Sequence, residues 1–188
     1  YGLVGSEMCI RDRDNTITDI LNKIEVKKGD VVMVKAGTIH AIGAGIIICE
    51  IQQNSNCTYR MYDYDRRDKY GNPRELHVKK ALDVVDTKAY VKDNTTEVML
   101  EENEHYSLER LVQCKYFECL KYEIKDEVKI VADESSFVSL VFIEGSGTIE
   151  ADDYKQEVPF KAGESFFVSS GKRSINIKGK GTCIVTHV

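Results

Sequence analysis

The sequence lacks the patterns of several large protein classes. No apolar run in its 188 residues approaches the 18 or so that a transmembrane helix needs. It contains no G-x-x-x-x-G-K-[ST], G-x-G-x-x-G, G-x-S-x-G or H-E-x-x-H motif, so phosphate-loop nucleotide binding, Rossmann chemistry and serine hydrolysis have no motif support. The net charge of −5 and a pI near 5.5 argue against a nucleic-acid binder.

The six cysteines form no C-x-x-C pair and no zinc-knuckle spacing. Several lie in apolar, strand-like runs, where a free cysteine packs as a small hydrophobe, so we expect reduced thiols in a cytoplasmic protein. The first 13 residues, "YGLVGSEMCIRDR", begin without Met, follow no helix or strand period and are too short for a signal peptide. We expect residues 1–13 to be foreign to the protein, whose native chain would extend further upstream.

Periodicity predicts a mainly β chain with a few short helices. The segments "NTITDILNKI" and "RELHVKKALDVV" predict helices, and "VVMVK", "IIICEI" and "CTYRMYDY" predict strands, "IIICEI" being buried. From about Thr87 onward short strands predominate. There "FVSLVFIEGSGTIEADDYKQEVPF" predicts two strands joined by a tight G-S-G turn. Many short strands with glycine turns are typical of a sandwich or barrel.

An internal repeat supports the barrel interpretation. Residues 28–40 align with residues 162–174 at an offset of 134. The matched pairs are Gly29 with Gly163, Asp30 with Glu164, Val34 with Val168, and Gly37 with Gly171. At the same offset His40 falls on Ser174, so the turn does not require histidine for folding. The alternative is a chance similarity of two β-hairpins.

Three polar residues, His40, Glu50 and Arg60, follow one another at intervals of ten in a mostly apolar stretch. The imidazole could ligate a metal, act as acid or base, or only form a hydrogen bond. The carboxylate either faces solvent or lies in a barrel interior with the guanidinium, which could there hold a phosphate or stabilise an oxyanion. Residues 53–80 carry seven Lys/Arg against four Asp/Glu, a local excess of +3. Such an excess fits either a solvated face or a site for a small anion. We expect the other three histidines to be structural or exposed.

The combination of "GTIHA", "EIQQNS", "TYRMYDYDR" and "PRELH" resembles type I phosphomannose isomerase (mannose-6-phosphate isomerase) in its short bacterial form, from about Asp14 to Val188. That family is a cupin. The resemblance implies cupin-type (jelly-roll) β-barrels in two units: an incomplete catalytic barrel at 14–94 and a metal-free barrel at 95–188.

The resemblance also implies the site and its chemistry. His40 would be a zinc ligand, with one Zn²⁺ in each full-length subunit; Arg60 would be the catalytic arginine; and Glu50, Gln52 and Asn56 would bind the substrate. The implied reaction interconverts mannose 6-phosphate and fructose 6-phosphate by removing a proton alpha to the sugar carbonyl. Zinc would polarise sugar oxygens, and Arg60 would lie near the negative charge that develops. The implied partner is a sugar phosphate, with neither nucleic acid nor membrane, and the oligomeric state stays open.

Two departures from the family pattern limit these expectations. The family's other zinc ligands, a Gln-x-His pair and a Glu, lie upstream of the matching region, so the chain resembles a C-terminal portion that alone would be inactive. The family also commonly has N-S-D where this chain has Asn54, Ser55 and Asn56. One alternative is a non-enzymatic, sugar-binding cupin with a degenerate site. Another is a different cupin enzyme, such as an iron dioxygenase, which would need a cluster of histidine ligands.

Overall fold

The structure is a computed structural model that describes residues 17–55, 57–88 and 97–188. These residues fall into two compact units, the first within residues 17–46 and 54–88 and the second within residues 47–53 and 97–188. In the described part of the chain, every helix is too short or too polar to cross a membrane. The expected foreign segment, 1–13, lies outside the described residues.

The first unit contains a 3₁₀ turn, Ile17–Asp19, and helix α1, Val78–Val84. Its buried core consists of Ile17, Met61 and Ala81. Six partly buried residues pack against this core: Ile20, Ile39, Tyr62, Val78, Leu82 and Val85. The helix predicted from "RELHVKKALDVV" is therefore confirmed over its central part, because its Ala81 face covers this core.

Other predictions for the N-terminal half are wrong. The helix expected in "NTITDILNKI" is only the 3₁₀ turn within its described residues, and "VVMVK", "IIICEI" and "CTYRMYDY" are not strands. The "IIICEI" segment is also exposed, with Ile47 at 99% relative exposure. An apolar pattern indicates that a segment should be covered but does not supply a partner. A strand needs a hydrogen-bonded neighbour, and among the described residues no strand pairs with these segments.

The second unit contains eight antiparallel strands in one sheet. They are β1 Val98–Glu102, β2 Tyr106–Gln113, β3 Glu118–Ile124, β4 Glu127–Ala132, β5 Val138–Ala151, β6 Tyr154–Lys161, β7 Ser165–Val168 and β8 Arg173–His187. The order is β1-β2-β3-β8-β5-β6, with β4 also paired to β8 and β7 to β5. The long β5 and β8 strands pair along most of their lengths and exchange their outer neighbours halfway, from β7 and β3 to β6 and β4.

Four glycines allow β5 and β8 to approach closely at this exchange. Gly145 pairs with Gly181, and Gly147 pairs with Gly179. A Cβ at Gly145 would lie 1.9 Å from the carbonyl oxygen of Lys180, so no larger residue fits without movement of the backbone. The predicted tight G-S-G turn is therefore wrong. These glycines lie inside β5 because close backbone approach, like a turn, requires residues without a side chain.

The two halves of the folded sheet enclose one apolar core. Residues from β3, β4, β5, β6 and β8 contribute to it, and the fully buried Phe142 stacks on Phe160 with ring centroids 3.8 Å apart. The prediction of a mainly β fold is confirmed. The prediction of two barrels is not confirmed, because the described residues contain one such sheet, which is not closed.

Candidate functional site

Hydrogen bonds fix both the backbone and the side chain of Arg60. Its N–H donates to Nδ1 of His77 at 3.2 Å, and its carbonyl oxygen accepts the N–H of His77 at 2.6 Å. The guanidinium Nη1 donates to the carbonyl oxygen of Glu75 at 3.2 Å, and Nε lies 3.8 Å from Oδ1 of Asp63. With 24% of the side chain exposed, the guanidinium remains accessible to a ligand. It is therefore both oriented and reachable.

Among the described residues, Asp63 is the one charged residue that is buried, with 8% relative exposure. Arg74 satisfies it through a bidentate pair: Nε donates to Oδ2 at 2.7 Å and Nη2 donates to Oδ1. The hydrogen bond from Arg74, reinforced by the nearby charges of Arg74, Arg66 and Arg60, holds the pKa of Asp63 below its usual range. Asp63 is consequently a carboxylate shared between two guanidinium groups.

Sequence reasoning missed Asp63, Arg74 and the role of His77. The expectation that His77 is structural agrees with its position, since its ring nitrogen accepts the backbone N–H of Arg60. The available signal was the motif "PRELH", which contains both Arg74 and His77 and belongs to the resemblance. Residue spacing alone could not identify them because the contacts join positions 11 to 17 residues apart across a loop.

His40 lies in an exposed loop of the first unit. Its Nδ1 is 2.9 Å from the carbonyl oxygen of Thr38. A carbonyl oxygen only accepts, so Nδ1 carries the proton and Nε2 keeps a free lone pair in the neutral ring. This arrangement is common in metal-ligating histidines. The loop is fixed by Gly37, whose carbonyl oxygen accepts the N–H of Asp86 just beyond α1 at 2.9 Å.

The described residues contain no group of three or more His, Cys, Asp or Glu side chains that could hold a metal ion. The described residues therefore supply one oriented zinc ligand, His40, but not the complete set of ligands that a zinc site needs.

The remaining predicted site residues are less defined. Glu50 and Gln52 are exposed in residues 47–53 and are grouped with the second unit, whereas His40 and Arg60 belong to the first. Asn56 lies outside the described residues. The convergence of His40, Glu50 and Arg60 on one cavity stays a prediction.

The basic loop after Arg60 forms one side of a surface groove of about 410 Å³. The groove is lined by Tyr62, Asp63, Tyr64, Asp65, Arg66, Pro73, Arg74 and Leu76, so its two arginines are balanced by two aspartates. Arg67 pairs with Asp65 at 2.9 Å, and Lys69 lies over the ring of Tyr70. These contacts within the loop favour a solvated face over an anion site for Arg67 and Lys69.

The folded-over antiparallel sheet with an apolar interior is cupin-like. A family model described as "Mannose-6-phosphate isomerase, cupin domain" matches residues 107–188. The mannose-6-phosphate isomerase ManA of Bacillus subtilis is 36% identical over 170 residues, covering 90% of this chain and 52% of the relative. The mannose-6-phosphate isomerase of Streptococcus mutans is 31% identical over 168 residues, covering 89% of this chain and 51% of the relative.

A solved structure agrees with these relatives. The crystal structure of the mannose 6-phosphate isomerase from Bacillus subtilis superposes with a TM-score of 0.86 at 35% identity, covering 98% of this chain and 57% of that one. Over about 90% of its length the chain is therefore similar to mannose-6-phosphate isomerases. It spans about half the length of the curated relatives it matches.

Proposed function

We propose that this chain carries part of the active site of a cytoplasmic enzyme that interconverts mannose 6-phosphate and fructose 6-phosphate. The observation that carries the proposal is the guanidinium of Arg60, which is oriented by Asp63 and Glu75 and still accessible. The names of the relatives support the same reaction. In this proposal residues 14–94 belong to the catalytic cupin barrel and residues 95–188 to a second, metal-free one.

The reaction moves a proton between C1 and C2 of the open-chain sugar, and negative charge develops on the oxygen atoms of the enediolate. A fixed cation stabilises this charge more in the transition state than in the ground state. Arg60 supplies such a cation. Nη1 donates to the carbonyl oxygen of Glu75 and Nε lies 3.8 Å from the carboxylate of Asp63, whereas Nη2 contacts no partner among the described residues. We therefore assign Nη2 as the donor to the developing oxyanion.

We propose that His40 is one ligand of a catalytic zinc ion. Zinc bound there would act as a Lewis acid on the sugar oxygens. The hydrogen bond from Nδ1 to Thr38 supports this role, since it orients the ring and leaves Nε2 for a ligand. The other ligands would come from residues beyond those that the structure describes. Glu50, Gln52 and Asn56 would bind sugar hydroxyls.

The test is a chimera in which residues 17–188 replace the matching half of the Bacillus subtilis enzyme. We expect the chimera to bind zinc and to convert fructose 6-phosphate to mannose 6-phosphate, measured by NMR or a coupled assay. Arg60→Ala should lower kcat by about 100-fold or more with unchanged zinc content, because it removes a transition-state contact. The matched control is Arg173→Ala, which removes an exposed arginine paired with Asp153 in the second unit and should change kcat less than about 2-fold.

The outcomes distinguish the alternatives. A folded chimera that binds zinc and fructose 6-phosphate but turns over neither sugar would favour the non-enzymatic, sugar-binding cupin. Full activity in Arg60→Ala would remove Arg60 from the mechanism. Circular dichroism and thermal unfolding of each protein establish that the chimera and its variants are folded.

A further inference from the structure

The carboxylate of Asp63 lies between the guanidinium groups of Arg60 and Arg74. This carboxylate is buried, and an isolated charge at such a site is costly. Arg74 neutralises it with two hydrogen bonds, and Arg60 contributes a longer ion pair, with Nε 3.8 Å from Oδ1. Breaking one member of such a group leaves another unpaired, so the three side chains act as a unit.

Together the three side chains carry a net charge of +1. The charges of Arg74 and Asp63 neutralise each other, and the charge of Arg60 remains available to a ligand. Without the carboxylate, two guanidinium groups would repel each other, and Nε of Arg60 would lose the anion that lies 3.8 Å away. The carboxylate therefore determines where the Arg60 guanidinium lies and which of its nitrogen atoms remain available.

We propose that Asp63 and Arg74 are positioning residues for Arg60, with Asp63 acting directly on the guanidinium and Arg74 acting by holding Asp63. The inference rests on the proposed role of Arg60. Neither Asp63 nor Arg74 touches substrate in this proposal. Their contribution to turnover passes through Arg60 alone.

A purely structural role for Asp63 is the competing explanation. Asp63 also begins the loop that ends at Arg74, and its carbonyl oxygen accepts the N–H of Arg66 at 3.0 Å. Asp68 provides the matched control inside the same loop. Its carboxylate accepts the N–H groups of Tyr70 and Asn72 at 2.8 and 2.9 Å and makes no recorded contact with Arg60. Loss of Asp68 should therefore loosen the loop without moving Arg60.

The first experiment uses the 188-residue chain and needs no activity. The NMR signal of the Arg60 Nε–H group, assigned by its loss in Arg60→Lys, reports the environment of the guanidinium. In Asp63→Asn we expect this signal to shift and its exchange with water to accelerate about 10-fold, because the anion 3.8 Å from Nε is gone. Arg74→Lys, which keeps the charge but loses the bidentate geometry, should shift the same signal. Asp68→Ala should leave it unchanged.

The second experiment is a double-mutant cycle in the chimera with the Bacillus subtilis enzyme. Asp63→Asn should lower kcat about 10-fold when Arg60 is present and less than about 2-fold when it is added to Arg60→Ala, because it acts through a side chain that is already absent. A merely structural role would give the same loss in both backgrounds. KM should change less than kcat in Asp63→Asn.

An Arg60 signal that stays in place in both Asp63→Asn and Arg74→Lys would overturn the proposal, as would additive losses of kcat. If Asp63→Asn does not fold, the Arg60 Nε–H signal measured in Arg74→Lys alone decides whether the proposal holds. A wild-type chimera without turnover would contradict the proposed function, while the NMR result would still decide whether Asp63 positions Arg60.

Discussion

Asp30 and Glu164, 134 positions apart, accept the same hydrogen bond in two separate turns. Oδ2 of Asp30 accepts the N–H of Lys27 at 2.9 Å, and Oε2 of Glu164 accepts the N–H of Lys161 at 3.0 Å. Each turn is closed in the opposite direction by a backbone bond of 3.1 or 3.2 Å from the acidic residue to the same lysine. The sequence repeat thus corresponds to a repeated local geometry.

The glycine before each acidic residue completes the match. Gly29 has φ of 91° and Gly163 has φ of 89°. After the turns the segments differ, because Ser165–Val168 pairs with β5 whereas residues 31–35 have no ladder partner in the described part of the chain. The turn depends on local chemistry, and the strand depends on a neighbour.

Two glycine substitutions should separate backbone strain from steric exclusion. Nothing lies within 4 Å of a Cβ added at Gly163, so Gly163→Ala should cost only the strain of positive φ, about 1 kcal/mol of unfolding free energy. A Cβ at Gly147 would lie 2.1 Å from the Lys178 carbonyl oxygen, so Gly147→Ala should cost about 3 kcal/mol or more. Urea unfolding measures both. Equal losses would contradict the assignment of Gly147 to a close strand crossing.

The pair of His105 and Asp126 should make stability depend on pH. Nδ1 of His105 donates to both carboxylate oxygens of Asp126, at 2.9 and 3.0 Å, and joins the β1–β2 and β3–β4 connections. The hydrogen bond to Asp126 raises the pKa of His105 above 6.5, and the same bond lowers the pKa of Asp126 below 3.8. The carboxylates of Glu104 and Glu127 raise the pKa of His105 further.

The sign of the dependence follows from these directions. The histidine contribution is complete below its unfolded pKa near 6.5 and is lost as pH rises through the folded value. The aspartate contribution is present above 3.8 and is lost as pH falls through its lowered value. The melting temperature of wild type minus that of His105→Gln should therefore be largest at about pH 5 and shrink above about pH 7. A difference that grows at alkaline pH would contradict the pair.

The sequence predicted much of the second unit because its strands alternate between core and solvent. In the predicted strand that begins at Val138, every second residue as far as Phe142 is buried, which is the pattern that identifies a half-buried strand. The first unit was predicted less well. Its apolar segments read as strands, but the described residues give them no ladder partner. Likewise, Arg60 could be proposed from resemblance, whereas Asp63 and Arg74 became visible only when the fold brought them together.

Phe142 should be the largest single contributor to the core of the second unit. Its side chain is fully buried, stacks on Phe160 and meets the edge of Phe166. Phe142→Ala should lower the unfolding free energy by about 3–5 kcal/mol, through lost burial and a residual cavity. The control is Phe167→Ala, since Phe167 is 67% exposed and should cost less than about 1 kcal/mol. Urea unfolding with an unchanged slope provides the measurement.

The 188-residue chain by itself should bind zinc weakly and show no isomerase activity. A catalytic zinc site takes three protein ligands and an open position, and the described residues offer His40 without a second and third donor beside it. One imidazole holds zinc poorly because affinity depends on several preplaced donors. Metal analysis after dialysis should therefore give substoichiometric zinc, and His40→Ala should lower that content further. Stoichiometric zinc with turnover of fructose 6-phosphate, assayed beside the Bacillus subtilis enzyme, would show that this chain supplies the missing ligands itself.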